Sequence, residues 1–469
     1  MFWLMGKKPR SKRQVDKARL QAVKVLYGVL EEHAFSNESA AFHLADPELD
    51  ARDRAFASAI IFGTLSNLPR IDYDLSMVSS RPIEKFDPWI RTILRAGIWQ
   101  LFYSYQATKA AACDESVRLA RYLTGEKMTG FVNGICRRLA RSRPTLEGPN
   151  AAALKVGLPV FLFDQLSAWY GADEAEAIGQ WSLESPEAIT IRANLCQMDA
   201  FLNWSGREEA IGMGLAPRTW PPHAYALTPK GRSVSETTGY KQGLYTLQSR
   251  AAMMVGALSG VVENERVLDL CASPGGKTGH VAELAGCKLD MLASDITPER
   301  VSLLEKTLER LGHDFVKTAV HDATVANQSW RESFDLVLCD VPCSGLGLIR
   351  KRPEIRLRVN AESIERLIGI QRDILEHAAS AVAPGGRLLY STCTLNPHEN
   401  ELQIERFLAS EAGQTFELED LKAELVEILP GEIKLPMSER LPGSVLFWPP
   451  RDQTDGFFIA RLRRRPDRA

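Results

Sequence analysis

The chain has 469 residues, 45% of them hydrophobic and 25% charged, with a net charge of −2. This is the composition of a soluble globular protein of about three domains, without an overall basic field to announce a nucleic-acid partner. The eight cysteines contain no CxxC pair, which excludes a disulfide framework and a zinc-ligand pattern and sets the expectation of free thiols in a reducing, cytoplasmic compartment.

Residues 15 to about 141 read as helical throughout. "DKARLQAVKVLYGVLEEH" sets Leu20, Val23, Val25, Leu26, Val29 and Leu30 on one stripe at helical spacing. "ARDRAFASAIIFGTLSNL" and "IRTILRAGIWQLFYS" repeat the pattern with Arg-rich polar faces. "DESVRLARYL" opens on Asp114 as an N-cap, and "GFVNGICRRLARSRP" closes the run before Pro144. The expectation is an all-α bundle over residues 1–145. Residues 146–235 are mixed: "LPVFLFDQLSAWYG" is a helix, "AITIRANL" a strand, and "GLAPRTWPPHAYAL" is broken by prolines. They are expected to form a small α/β linker subdomain.

From 236 to 469 strands and helices alternate. "RVLDL", "LDMLASD", "DFVKTAVHDA", "FDLVLCD" and "GGRLLYSTC" are strands. "GHVAELAG", "TPERVSLLEKTLERLG" and "IERLIGIQRDILEHAASAV" are helices, the second capped by Thr297 with Pro298 in its first turn and Gly312 as its stop. "SVLFWPP" and "DGFFIARLR" could supply further strands. This order predicts an α/β, doubly wound and mostly parallel sheet. No apolar stretch approaches the ~18 residues a membrane-spanning helix needs.

Ligands of such sheets bind outside the carboxyl ends of the strands. Five successive strands deliver reactive or acidic groups there. The first is followed by "CASPGGKT", Cys271 to Thr278. The next two end at Asp295 and near Asp322, the fourth at Asp340 with Pro342 and Cys343 beyond, and the fifth near Cys393. The turn lacks the glycine a Walker loop has six residues before Lys277, and it lacks GxGxxG. A pyrophosphate is therefore poorly served, while Asp295 suits ribose hydroxyls. A nucleoside cofactor without phosphates, S-adenosylmethionine, fits. Cys339 lies within its strand and reads as an inert hydrophobe, whereas Cys343 and Cys393 lie beyond theirs. A thiolate can add to C6 of a pyrimidine and make C5 nucleophilic, provided an acid neutralises charge at N3. Sequence physics does not order the two cysteines. It also leaves open a nucleotide-dependent dehydrogenase on the same sheet and an RNA-binding assembly factor with an inert catalytic half.

"LDLCASPGGKT", "CDVPCSG" and "LLYSTCTLNPHENE" resemble the signature motifs of the RNA cytosine-C5 methyltransferases, as do "SGLGLIRKRPEIR" and "TDGFFIARL". The first 141 residues are similar to the RNA-binding domain of the antitermination factor NusB, through "RDRAFASAIIFGTL" and "ILRAGIWQLFY". The resemblance implies a Rossmann-like S-adenosylmethionine methyltransferase domain behind a NusB-like bundle. Its implied substrate is small-subunit (16S) ribosomal RNA, acted on by a monomer without a metal. It implies that Cys393 attacks C6 and Cys343 assists breakdown of the adduct. It further implies that Cys271, Ala272, Ser273, Pro274, Gly275, Gly276, Lys277, Asp295, Asp322 and Asp340 hold the cofactor. Asp340 would stand close to the base, with Lys277 orienting it. The chain departs from the family at Val341, where Ala is common, at Leu346, where Thr or Ala is usual, and at Ser249, where an acid is usual.

Basic residues cluster at 7–13, 350–358 and 461–468. Runs at the two chain ends read as solvated tails; 350–358, directly after the Cys343 loop, reads as a grip on the substrate strand. Arg52, Arg54, Arg95, Arg118, Arg121, Arg137, Arg138 and Arg141 of the helical region are expected to supply a face for RNA phosphates.

Overall fold

The structure is a computed structural model that describes residues 15–185, 188–228 and 233–466. The basic run 7–13 lies outside the described residues. The chain divides into two compact units, Met1–Glu184 with Arg350–Arg358, and Ser185–Ile349 with Val359–Ala469.

The first unit is helical. Its helices start where the sequence supplies caps: Asp16, Asp50 and Asp87 accept from the backbone N–H three residues on, and Pro88 fits the first turn after Asp87. Asp114 is not a cap. The helix Lys109–Thr124 begins earlier because the Thr108 hydroxyl accepts from Ala111 N and the following Lys-Ala-Ala-Ala run favours helix. Leu26, Ile60, Ile61, Ile90, Leu94, Ile98, Val132 and Leu139 form the core. The helices Ala151–Lys155, Val160–Tyr170 and Ala172–Leu183 belong to this unit and not to a separate linker subdomain. They bury Ala153, Leu162, Leu166 and Ile178.

The segment Arg350–Arg358 is also part of the helical unit, which corrects its reading as a grip on the substrate. Arg356 is buried and donates to the carbonyls of Ser66 at 3.1 Å and Gly157 at 2.9 Å. Burial lowers its pKa to about 9. The Glu354 carboxylate accepts from Ser36 N at 3.2 Å and Ser36 Oγ at 2.7 Å. Arg358 donates to the carbonyls of Val29 and Ala34, and Arg350 to that of Glu184. These side chains serve the unit's interior. Much of the expected arginine face is likewise engaged internally. Arg95 forms a paired contact with Asp72, Arg118 pairs with Glu115, Arg121 with Glu126, and Arg54 and Arg138 bond backbone carbonyls. Arg52, Arg137 and Arg141 are exposed, as are Arg121 and Arg138 despite their bonds.

The second unit opens with a small antiparallel sheet of β1 (Ile189–Ala193), β2 (Ala216–Pro217), β3 (Ala224–Leu227) and β4 (Tyr245–Leu247), in the order β2-β3-β1-β4. Pro217 sits on the edge strand, where its missing N–H costs no ladder bond. The larger sheet contains β5 (Arg266–Asp269), β6 (Asp290–Asp295), β7 (Lys317–Val320), β8 (Phe334–Asp340), β9 (Val382–Thr392), β10 (Phe416–Leu418), β11 (Val445–Phe447) and β12 (Phe457–Arg464). Its order is β10-β12-β9-β8-β5-β6-β7, with β11 paired to β12. Strands β5 to β9 are parallel; β12 runs antiparallel to β9. The winding direction reverses between β5 and β8, and the carboxyl ends of those neighbours form the switch-point crevice.

Two further expectations change here. Over its described residues the C-terminal basic run is not a solvated tail: Arg461 and Arg463 on β12 pair with Glu419, and Arg464 with Glu332. The cysteines are not all free either, since Cys196 and Cys287 form a disulfide. Their sequence separation of 91 carries no spacing signal, so only the fold reveals the pair. The six others are free.

Candidate active site

The turn after β5 is shaped by two glycines. Gly275 has φ +102°, and a Cβ there would approach Leu304 Cδ1 at 3.0 Å. At Gly276 a Cβ would meet nothing within 4 Å, so the cradle is open on that side. Two buried charged groups hold the turn. The Asp295 carboxylate, at the end of β6, accepts from Ser273 N at 2.9 Å and Ile296 N at 2.8 Å, and it pairs with Arg300. Arg192, fully buried on β1, donates to the Gly276 carbonyl at 2.7 Å and to Glu283 at 2.6 Å. Its neighbour Glu283 is held down to about 2: burial opposes the charge, and Arg192 and His313 outweigh it. Beneath the turn lies Asp269, hydrogen-bonded by Thr278 Oγ1 at 2.8 Å. Burial raises its pKa to about 7. Asp322, past β7, is exposed, and Thr324 lowers its pKa by hydrogen bonding through side chain and backbone.

Strands β8 and β9 bring the chemistry together, because their register pairs Asp340 with Ser391. Ser391 Oγ donates to Asp340 Oδ1 at 2.8 Å, and Lys277 Nζ donates to Oδ2 at 2.6 Å. Burial disfavours the charge on Lys277, but Asp340 outweighs it and holds the lysine pKa up. Beyond the strands, Cys343 Sγ and Cys393 Sγ stand 3.4 Å apart. The Cys343 pKa is pushed well up, first by its hydrogen bond to Cys393, then by burial and by the negative charge around it. Cys343 therefore keeps its proton. Cys339 is buried within β8 and its pKa is also raised, which suits the inert reading.

Glu399 was given no role by the sequence reading, although "NPHENE" was noted. It is fully buried, and its carboxylate accepts from Ser344 N at 2.8 Å, Gln371 Nε2 at 2.9 Å and Asn396 Nδ2 at 3.0 Å, as well as from Ser344 Oγ. Ser344 follows Cys343, and Thr394, which also reaches this carboxylate, follows Cys393. One side chain thus ties the two cysteine loops together. Asp269 was missed for a different reason: it was counted as part of an apolar strand. An acid inside a run that is otherwise buried was the available signal.

Residues 257–463 match the family described as 16S rRNA methyltransferase RsmB/F, and residues 16–141 match the NusB family. A ribosomal RNA small subunit methyltransferase B from Xylella fastidiosa is 33% identical over 414 residues, covering 88% of this chain and 92% of that protein. The chain belongs to the RsmB/F family. Its relative of the same description from Escherichia coli O1:K1 is 30% identical over 417 residues, covering 88% and 90%. The crystal structure of PH0851 superposes with a TM-score of 0.78 at 26% identity, over 96% of this chain and 100% of that one. The fold is shared with NSun6 from Pyrococcus horikoshii, solved with SFG, at a TM-score of 0.56 and 21% identity over 66% and 99%.

This RsmB/F-family chain is an S-adenosylmethionine-dependent rRNA methyltransferase. Its residues fit the cofactor. The cradle beside Gly276 is open, and Asp269 beneath the turn, with its pKa raised to about 7, can gain negative charge beside a cationic ligand. A cation bound nearby favours the Asp269 carboxylate and releases its proton. Cofactor affinity is therefore expected to rise with pH below about 7, by up to about tenfold per unit, and to level off above it. Calorimetry in buffers of different ionisation enthalpy reads the released proton, and Asp269→Asn should abolish both effects. An unchanged pH profile in that variant would assign the proton elsewhere. For Asp295→Ala, calorimetry should show cofactor binding weakened by about 1–3 kcal/mol, the cost of leaving hydrogen-bonding groups without an acceptor. Full affinity in this variant would exclude Asp295 from cofactor binding.

Proposed function

We propose that this enzyme transfers a methyl group to C5 of a cytosine in small-subunit ribosomal RNA through a covalent adduct at C6. The observation that carries the reading is the pair of facing thiols beside the Lys277–Asp340 pair, at the cofactor edge of the sheet. When bound, S-adenosylmethionine supplies an electrophilic methyl on a sulfonium. The Cys393 thiolate adds to C6, the proton shared by the Lys277–Asp340 pair neutralises the charge developing at N3, and C5 bonds the methyl group as the methyl–sulfur bond breaks and leaves a neutral thioether. The C5 proton then passes to water, the C5–C6 double bond re-forms, and the Cys343 thiol hydrogen-bonds the departing Cys393 sulfur. Residues 271–277, Asp295 and Asp322 would hold the cofactor, with Asp340 shared between cofactor and base. Ser249, where an acid is usual, accepts from Ala252 N and caps the helix Arg250–Ala257, a task that serine performs well.

The helical unit is read as an RNA-recruiting module, with Arg52, Arg137 and Arg141 available to phosphates, and the whole as a cytoplasmic monomer. The test is direct. Unmethylated small-subunit RNA is incubated with the protein and methyl-labelled cofactor, and its nucleosides are separated after digestion. Label in 5-methylcytidine is expected; label only in another nucleoside refutes the base and position.

A further inference from the structure

The second unit holds two arginines whose guanidinium groups make no direct ion pair among the described residues. Arg218 follows β2 and is half-buried; its Nε is shut off from solvent and has no hydrogen-bond partner among the described residues. Arg250 lies close enough for the two charges to act on each other. Arg250 is also the first residue of the helix Arg250–Ala257, at the end where the helix dipole is positive. Its guanidinium sits 4.3 Å over the Trp220 ring and donates to the backbone carbonyls of Asp452 and Gln453, not to a carboxylate. Asp452 and Asp455 act on it at a distance without bonding it, and the Asp452 carboxylate is taken by Arg451 and Trp448 N. Burial first, and then Arg218, lowers the Arg250 pKa to about 10.

The helix's own first N–H groups are taken by Ser249 and Thr454, but the two cations meet beside the Trp220 ring, where an anion would relieve their repulsion. The place is connected to the chemistry. Arg250 bonds the Gln453 carbonyl; three residues on, Gly456 N donates to the Gly347 carbonyl at 3.1 Å; and Gly347 N donates to the Cys393 carbonyl at 2.9 Å. We propose that Arg218 and Arg250 form a phosphate subsite that holds the backbone of the substrate RNA beside the target nucleotide, with Trp220 as its aromatic floor. The proposal rests on the RNA-methyltransferase reading and adds to it the place where the strand is gripped.

Arg218→Glu in the full-length protein separates a binding role from a structural one. The new carboxylate would face Arg250 and pair with it, so thermal stability is expected to hold or rise. Affinity for a small-subunit RNA transcript is expected to fall at least about tenfold at low salt. The slope of log affinity against log salt should shrink by about one to two units, at ~0.7–0.9 per phosphate contact. KM for RNA should rise while kcat at saturating RNA and cofactor affinity stay near those of the unaltered protein. Arg218→Gln should show the same signs with a smaller change. Unchanged RNA affinity and salt slope in both variants would overturn the subsite. Unaltered protein that binds the transcript but places no label in 5-methylcytidine would refute the proposed chemistry instead, and the binding measurements would still decide the subsite.

Discussion

Replacing Cys343 with alanine is expected to turn the enzyme into a covalent trap for its RNA. Cys343 keeps its proton because Cys393, burial and the surrounding negative charge all oppose its ionisation. At 3.4 Å it faces the neighbouring sulfur. Without it, Cys393 can still add to C6 and the methyl group can still be accepted. The departing sulfur, however, loses the partner that receives it. A protein–RNA species that survives denaturing electrophoresis should accumulate in the presence of cofactor. Cys393→Ala should form no such species, and methyl transfer should fall to background, because the neighbouring Cys343 keeps its proton and the thiolate is the nucleophile. The opposite outcome, an adduct in Cys393→Ala and none in Cys343→Ala, would exchange the two roles.

Glu399→Ala is expected to be the most damaging change away from the sulfurs. It leaves the Ser344 N–H and the amides of Gln371 and Asn396 without their acceptor in a buried site. At ~1–3 kcal/mol for each unsatisfied group, the loss should be about 3 kcal/mol or more of folding stability. Glu399→Gln is the informative partner. Its shape is conserved, but one oxygen becomes a donor facing donors, and flipping Asn396 to compensate would forfeit its bond to His398 N at 3.0 Å. This variant should fold and should slow release of RNA from the adduct more than cofactor binding, because the Cys343 loop is displaced from Cys393. Denaturant unfolding of both variants and single-turnover assays of Glu399→Gln separate these effects. A Glu399→Gln enzyme with unaltered turnover would show that the carboxylate merely fills space.

The sheet and its active edge were legible because their signals are local. Thr297, Pro298 and Gly312 mark a helix within one stretch of chain, and the helix Pro298–Leu311 lies where they place it. Strand ends carry their chemistry in short motifs, so Asp340 and Cys343 could be read together. What escaped depends on groups distant in sequence. Glu399 becomes informative only when Ser344 folds onto it from 55 residues away. The same holds for Cys196 with Cys287. Arg350–Arg358 misled for a related reason: a run of cations looks the same in sequence whether it meets phosphates or backbone carbonyls. Buried carbonyls of Ser66 and Gly157 cannot be seen in a composition. Asp114 misled through a local competition that Thr108 wins.

The Arg350–Arg358 strap also bears on the order in which a growing chain can complete its parts. The helical unit owes its last buried bonds to residues made long after its own helices. Ser36 waits for Glu354, 318 residues later, and the Ser66 carbonyl waits for Arg356, 290 residues later. Between Glu184 and Arg358 a ribosome adds about 170 residues, which takes roughly 10–35 seconds at typical rates of synthesis. During that interval the amino-terminal helices exist without the strap, and β5 to β8 of the catalytic sheet are being made. The amino-terminal unit, first to leave the ribosome, is thus completed only after the Cys343 loop has been synthesised.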